Sequence, residues 1–308
     1  MRALIVDRSR PGALRLAEAP DPVPAPGQAL IRVQAASLNH GEAVHGLDRA
    51  RPGAVLGWDA AGTVVRPAAD GSGPPEGAPV TTLAPDGGWA ELRAVPTALI
   101  GAAPQGADPG ALGTLPVAAA SALRALRRMG PILGRRVLVT GAGGGVGRFA
   151  VQLAAQGGAE VVAATSDPGA RGDALRALGA DEVVAGPAEA GGAFFGVLDN
   201  VGGAQRAAAF ARLEEGGTLV AVGHSAGADD VFSHGALFGE EGHDRALVTF
   251  HLLRERGLAA DLGLLAAWTA RGRLDPGIAW RGSWSRAAEA VEALRAGRLH
   301  GKAVLEMD

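Results

Sequence analysis

The chain reads as an α/β protein in two parts, and three observations carry that reading. Residues 1 to about 110 break into short apolar runs separated by glycine and proline turns, the pattern of a small barrel or sandwich. From Leu115 onward, strand-like runs alternate with helical patterns, which implies a parallel sheet covered on both faces. Within that second part, residues 136–154 pass from a β-branched apolar run through a glycine cluster into helical spacing, the order strand, turn, helix.

The elements follow in order. Residues 1–6 form a first strand and 15–18 a second, and Pro20, Pro22, Pro24 and Pro26 mark a turn-rich connector. Residues 28–36 alternate into a third strand, followed by a loop over 37–46 that carries Asn39, His40, Glu42 and His45. Residues 55–65 turn into a strand whose glycines imply close backbone contacts, and 87–95 close this part before a linker of Gly, Ala and Pro. A helix is predicted over 115–126, then strands over 137–140, 161–165, 183–184, 196–199, 218–222 and 246–250, with a helix through Leu265 and Trp268. The last stretch holds an amphipathic helix over 285–294 and a strand over 302–306, expected to return to the first part.

Composition sets outer limits. With 308 residues, 47% of them apolar, and a net charge of −3, the chain can bury a sizeable core and is expected to form two domains. No basic stripe stands out, so nucleic acid is a poor candidate partner. There is no cysteine, which rules out disulfides, thiolate zinc sites and cysteine nucleophiles together. The first seven residues lack the apolar core of a signal peptide, and no run of about 18 apolar residues offers a membrane helix, so a soluble cytoplasmic protein is expected. The 48 glycines and 19 prolines would fit a low-complexity chain, but the apolar fraction and the strand pattern argue against it.

The glycine turn points to chemistry. Gly141, Gly144, Gly145 and Gly147 let the chain reverse sharply and let a pyrophosphate approach the main chain without meeting a Cβ. The helix that begins near Val146 aims its N–H groups and positive dipole end at those phosphates. Such turns are common in α/β proteins, so the neighbourhood decides. The next strand ends roughly 20 residues later, where a βαβ unit places its ribose-recognition residue. An acid there would bind both ribose hydroxyls of NAD and repel a 2′-phosphate. Here Thr165 and Ser166 stand at the tip and Arg171 follows, hydroxyl donors and one cation suited to a phosphate dianion. The reading is NADPH. Asp167 beside them keeps a 2′-hydroxyl open as the alternative, and Arg171 also fits a solvated helix face.

Several motifs in one order are more specific than the turn. Gly57-Trp58-Asp59-Ala60-Ala61-Gly62, Leu115-Pro116-Val117-Ala118, the run from Val139 to Gly147, Leu178-Gly179-Ala180-Asp181, Leu198-Asp199-Asn200-Val201-Gly202 and Gly301-Lys302-Ala303-Val304 span the chain. Together they resemble the medium-chain dehydrogenase/reductase superfamily, nearest its zinc-independent quinone oxidoreductases, with the related enoyl reductases beside them. The resemblance implies a GroES-like domain built from 1–116 and 273–308, a Rossmann doubly wound parallel sheet over 117–272, NADPH as cofactor, and homodimers or homotetramers. Zinc-dependent members carry a His-Glu pair where this chain has Trp58-Asp59, so no metal is expected.

Residue by residue, the resemblance puts Asn39 near the nicotinamide and Glu42 where the family often has aspartate. Val44 replaces an aromatic hydroxyl found in many quinone reductases, and the chain has no tyrosine, which excludes a tyrosine proton donor. Ser121 matches a threonine that approaches the carboxamide, and the backbone of Gly145 and Val146 would meet the pyrophosphate. Ser166 and Arg171 fall at the 2′-phosphate and Asn200 near the adenosine side. Val222, Gly223, His224 and Ser225 match the wall of the nicotinamide, and Lys302 a lysine near the cofactor.

Hydride delivery to a quinone or an α,β-unsaturated carbonyl leaves negative charge on an oxygen, which one or two donors must stabilise. Asn39, His40, His45, Ser121 or water can serve; an enolate or hydroquinone anion is far less basic than an alkoxide and needs no metal. Each residue also has a plainer reading. Asn39 fits a turn cap, His40 and His45 solvated loop positions, and Trp58 a packing residue. Glu240, Glu241, His243 and Asp244 fit a solvated acidic loop. Two other functions stay open: an enoyl reductase on thioester or polyketide intermediates, and a non-catalytic NADPH-binding redox sensor. The partner expected is a small electrophile, with no nucleic acid and no membrane.

Overall fold

The structure is a computed structural model that describes residues 1–238 and 243–308. The chain divides into two compact units, Met1–Ala120 with Leu253–Asp308, and Ser121–Leu252. Among the described residues no helix is long and apolar enough to cross a membrane.

The first unit is built on the strand Gln28–Leu38, whose side chains alternate inward over its first half and are all buried over its last four residues. It pairs with Asp59–Arg66, Leu92–Pro96 and the C-terminal strand Lys302–Glu306, all antiparallel. Register shifts at Leu30/Ile31 and Val33/Ala35 bend it, so one strand can serve three partners. The rest of this seven-stranded sheet is Ile278–Ser283 at one end, with Pro79–Leu83 and Ile100–Ala102 at the other. At Gly62 an added Cβ would fall 1.9 Å from the Arg32 carbonyl oxygen, which is why the strand crossing carries glycine. The core gathers Leu4, Val6, Leu47, Trp89, Trp284, Val291 and Leu305, closed by the helix Ala287–Arg295.

The predicted loop over 37–46 is not a loop. The strand runs to Leu38, and Glu42–Gly46 forms a wide π-type turn continued by Leu47–Arg49. Its glycines hide it in the sequence, yet Ala43 and Leu47 are fully buried and draw the segment inward. Such turns recur at functional positions.

The domain boundary differs as well. Helix Leu258–Ala270 belongs to the first unit, where the sequence expectation ended the second part at 272. It lies directly on the strand Ile100–Ala102: a Cβ at Gly101 would come 2.4 Å from Leu262 Cβ and 2.6 Å from the Gly263 nitrogen. Leu258, Leu262, Leu265 and Ala266 are buried by that contact.

The second unit is a six-stranded, all-parallel sheet in the spatial order Glu182–Val184, Glu160–Ala164, Arg136–Thr140, Phe194–Asp199, Leu213–Ala221, Ala246–Thr249. Counted along the chain this is 3-2-1-4-5-6, the doubly wound order whose direction reverses between the first and fourth strands. Val137, Leu138, Val139, Val161, Val162, Val197, Leu198, Leu219 and Val220 are each 0% exposed, which explains their continuous apolar runs. Helices Gly145–Gln156, Pro168–Ala177 and Gly203–Ala211 connect the strands. The outer strand Ala246–Thr249 keeps every second residue exposed.

Candidate functional site

The glycine turn sits at the reversal of strand order. After Thr140 the chain turns through Gly141, at φ +59°, and the helix Gly145–Gln156 starts with Gly144 as a cap that offers no side-chain acceptor. A Cβ at Gly147 would lie 2.3 Å from the Gly141 oxygen and 2.6 Å from Ala142 Cα, so the first helical turn rests directly on the glycine turn. The amides of Gly145, Val146 and Gly147 therefore open a helix at a crevice suited to an anion.

Two strand ends complete this site. Thr165, 3% exposed, follows the second strand, and its hydroxyl lies 3.5 Å from Arg171 Nη1. Arg171 reaches back over the turn, since a Cβ at Gly143 would meet its Nη1 at 2.9 Å. Ser166 is exposed beside them. Asp167 uses Oδ1 to cap the helix Pro168–Ala177, accepting from the Ala170 N–H at 2.9 Å, which ties it to the helix start.

Asn200 stands between the first and fourth strands. Its Nδ2 donates to the Thr140 carbonyl at 2.8 Å, while its Oδ1 is buried with no partner among the described residues. That carbonyl can only accept, so the amide orientation is fixed. A buried acceptor without a donor costs free energy unless a ligand hydroxyl or amide reaches it. The crowded glycine cradle, the helix start and this orphaned oxygen together fit a dinucleotide.

Asp199, fully buried, was legible only as a strand end, and Arg206 and Asp230 not at all. Asp199 accepts from the Thr140 hydroxyl at 2.5 Å, from the Val201 and Gly202 amides at 3.3 and 3.1 Å, and from Arg206 Nε at 2.7 Å. Arg206 also donates to Asp230 Oδ2 and to the Gly223 carbonyl, both at 2.5 Å. The Val222 and Gly223 amides bond the Asp199 carbonyl at 2.8 and 3.1 Å. His224 is exposed, with its ring over Gly202.

The first unit holds a second polar cluster. Asn39 Nδ2 donates to Glu42 Oε2 at 2.8 Å and to Asp59 Oδ2 at 2.9 Å. Lys302 Nζ donates to the Leu38 carbonyl at 3.0 Å, to Asn39 Oδ1 at 2.8 Å and to Asp59 Oδ2 at 3.4 Å. Ser37 Oγ and the Val117 N–H bond the remaining faces of Asp59 at 2.9 and 2.8 Å. Arg93, also missed in the sequence, threads the neighbouring loop and donates to the carbonyls of Gly57, Trp58, Ala84 and Asp86. Burial pulls its pKa down to about 10 against the attraction of Asp59 and Glu42, which leaves it charged at neutral pH.

This corrects three expectations. Lys302 is 3% exposed and each of its three N–H bonds is taken, so it is the countercharge of Asp59 rather than a cofactor ligand. Both Asn39 amide hydrogens are engaged, leaving none for a substrate oxygen. Glu42 is 1% exposed and accepts from Asn39 and from the Trp58 N–H, so it holds the loop and does not face a reactant. His40 remains exposed, its ring 6.4 Å from that of His45; desolvation and His45 keep its pKa below the ordinary value. Ser121 is buried in the helix Leu115–Arg128, at the point where the second unit begins. Glu240 and Glu241 lie outside the described residues, while His243 pairs with Glu215 at 3.0 Å on the surface.

Burial, then the charge of Asp59, pushes the Glu42 carboxyl from 4.5 up to about 7. The folded state therefore holds this proton over a range in which the unfolded state has released it. Its stabilising contribution is full below pH 4.5 and declines as pH rises to about 7. Over that window it should shrink by about 3 kcal/mol. Denaturant unfolding of wild type and Glu42→Gln across pH 4 to 8 checks this: the difference between the two should carry the slope, and parallel profiles would refute it.

Known proteins agree with this architecture. The alcohol dehydrogenase GroES-like domain model matches residues 25–105, and the zinc-binding dehydrogenase model matches 178–305. The putative quinone oxidoreductase YhfP of Bacillus subtilis is 33% identical over 227 residues, 65% of this chain and 66% of that protein. The spectinabilin polyketide synthase system protein NorB of Streptomyces orinoci is 31% identical over 296 residues, 92% of this chain. The chain spans 13% of NorB, so it corresponds to one part of that much longer protein. The solved quinone oxidoreductase from Coxiella burnetii superposes with a TM-score of 0.83 at 25% identity, covering 100% of this chain and 99% of that one. The chain is thus a member of the medium-chain dehydrogenase/reductase superfamily, of its quinone-oxidoreductase-like kind.

Proposed function

We propose that this protein is an NADPH-dependent, metal-independent reductase of quinones or α,β-unsaturated carbonyls. The observation that carries the reading is the second unit's glycine cradle beside a buried, unpartnered Asn200 Oδ1, with Thr165 and Arg171 in place of an acid. When bound, NADPH supplies the hydride. The Gly145, Val146 and Gly147 amides hold its pyrophosphate, Thr165, Ser166 and Arg171 its 2′-phosphate, and Asn200 Oδ1 accepts from a cofactor hydroxyl or amide. Val222, Gly223 and His224 belong to the wall on the nicotinamide side.

The cluster around Asp59 offers zinc no fitting ligand set. The chain contains no thiolate, and Asp59 already faces an ammonium and three hydrogen-bond donors. Acceptors whose reduced form is a stabilised enolate or hydroquinone anion suit a site without a Lewis acid. The match of 92% of this chain to one part of NorB favours an enoyl thioester as the second reading. The half-exposed outer strand Ala246–Thr249, with Leu247 40% exposed, supports the homodimer or homotetramer that the resemblance implies, which sedimentation reads directly.

Oxidation of NADPH against a panel of quinones, enones and enoyl thioesters tests the reading. Turnover is expected with the first two classes; preference for thioesters would select the second reading, and tight NADPH binding without turnover would select a redox sensor. Arg171→Ala should weaken NADPH by about 1–3 kcal/mol, the worth of a charged hydrogen bond, and leave NADH nearly unchanged. Equal loss for both cofactors would contradict the assignment.

A further inference from the structure

We infer that Arg206 is a positioning residue for the nicotinamide half of the cofactor, acting by fixing the loop from Val222 to Asp230; this rests on the NADPH reading. Arg206 is 7% exposed and sits on the helix Gly203–Ala211. Its three ties all reach the far half of the sheet: Asp199 at the end of the fourth strand, the Gly223 carbonyl just past the fifth, and Asp230 at the end of the loop. The loop has no helix or strand of its own and is mostly exposed; main-chain bonds from Val222, Gly223, Ser225 and Ala226 to Asp199, Asn200 and Val201 hold its first half, and its far end is tied at Asp230 by Arg206 and the Gly203 amide.

The turn before the helix is shaped for this clamp. Gly202 and Gly203 both take left-handed conformations, at φ +75° and +59°. That turns successive amides toward the two carboxylates: Gly202 N–H to Asp199 Oδ2 at 3.1 Å and Gly203 N–H to Asp230 Oδ1 at 2.6 Å. Asp199 at the strand end and Asp230 at the end of the loop are thereby joined through one planar cation, a geometry that an ammonium cannot reproduce. Gly223 in turn packs against Asn200, since a Cβ there would come 2.5 Å from the Asn200 oxygen of the main chain.

A doubly wound sheet binds one mononucleotide on each half. The glycine turn, Thr165 and Arg171 belong to the first half, and all three Arg206 ties to the second. Loosening the clamp should therefore spare the adenosine end. The probe is calorimetric binding of NADPH and of 2′,5′-ADP, which has the adenosine and the 2′-phosphate but no nicotinamide, with thermal unfolding alongside. Arg206→Met should raise the NADPH dissociation constant about tenfold or more, the effect of a lost charged contact, with 2′,5′-ADP held within about twofold.

Arg206→Lys should not restore the wild-type value, and Asp230→Asn, which leaves Arg206 paired with Asp199, should lose about threefold for NADPH alone. If Arg206→Met does not fold, the same comparison on Asp230→Asn decides. Equal weakening of both ligands, or none, overturns the inference. A wild type that binds neither ligand overturns the NADPH reading itself.

Discussion

Replacing Lys302 with methionine should destabilise the first unit by about 3–5 kcal/mol, the cost of leaving a buried charge without its partner. Lys302 and Asp59 are 3% and 0% exposed, with Nζ and Oδ2 3.4 Å apart. Methionine keeps most of the stem and its packing, so the loss isolates the charge and its three hydrogen bonds. Without the ammonium, Asp59 and Glu42 face each other across Asn39 with Arg93 as the remaining cation in their field. Trp58, Trp89, Trp268, Trp280 and Trp284 all lie in the first unit, so tryptophan fluorescence in denaturant follows its unfolding alone. The double variant Lys302→Met with Asp59→Asn should recover part of the loss, because the stranded charge goes too. A shift below about 1 kcal/mol would place the lysine among surface pairs and undo the account.

Gly147→Ala should cost NADPH affinity on the order of a hundredfold, about 3 kcal/mol. The new methyl would meet the Gly141 oxygen at 2.3 Å and Ala142 Cα at 2.6 Å. Both are main-chain atoms of the turn, with no rotamer to move them aside. The helix must back away, and its amides leave the position from which they face a phosphate. Gly235→Ala, where an added Cβ meets nothing within 4 Å, is the matched control in the same unit. Binding followed by calorimetry decides, and an unchanged Gly147→Ala affinity would mean that the cofactor lies elsewhere.

The second unit is legible because its central strands are buried on both faces. Arg136–Thr140 and Glu160–Ala164 read as apolar β-branched runs whatever surrounds them, and the glycines between them carry a local steric signal. Pro79–Leu83 and Ile100–Ala102 were not: they are short, rich in Thr or bounded by Gly, and take their pairing from strands far along the chain. Helix Leu258–Ala270 is legible as a helix but its unit is not, since periodicity tells that a face is buried and not against what.

The cofactor residues share that asymmetry. The turn is contiguous and could be read; the charged clusters could not, because Lys302 meets Asp59 across 243 positions and Arg206 meets Asp230 across 24. The resemblance sets Asn39 and Glu42 at the reacting centre, but which of their hydrogen bonds are already taken is a property of three dimensions.

The strand Lys302–Glu306 sits inside its sheet, between Ile278–Ser283 and Gln28–Leu38, and brings the charge that neutralises Asp59. Vectorial synthesis therefore meets the two units unequally: the nucleotide-binding one is a single continuous stretch and can close while the ribosome is still at work. The other unit has Met1–Ala120 in place early but must wait for Leu253–Asp308, its buried carboxylates uncompensated until Lys302 arrives.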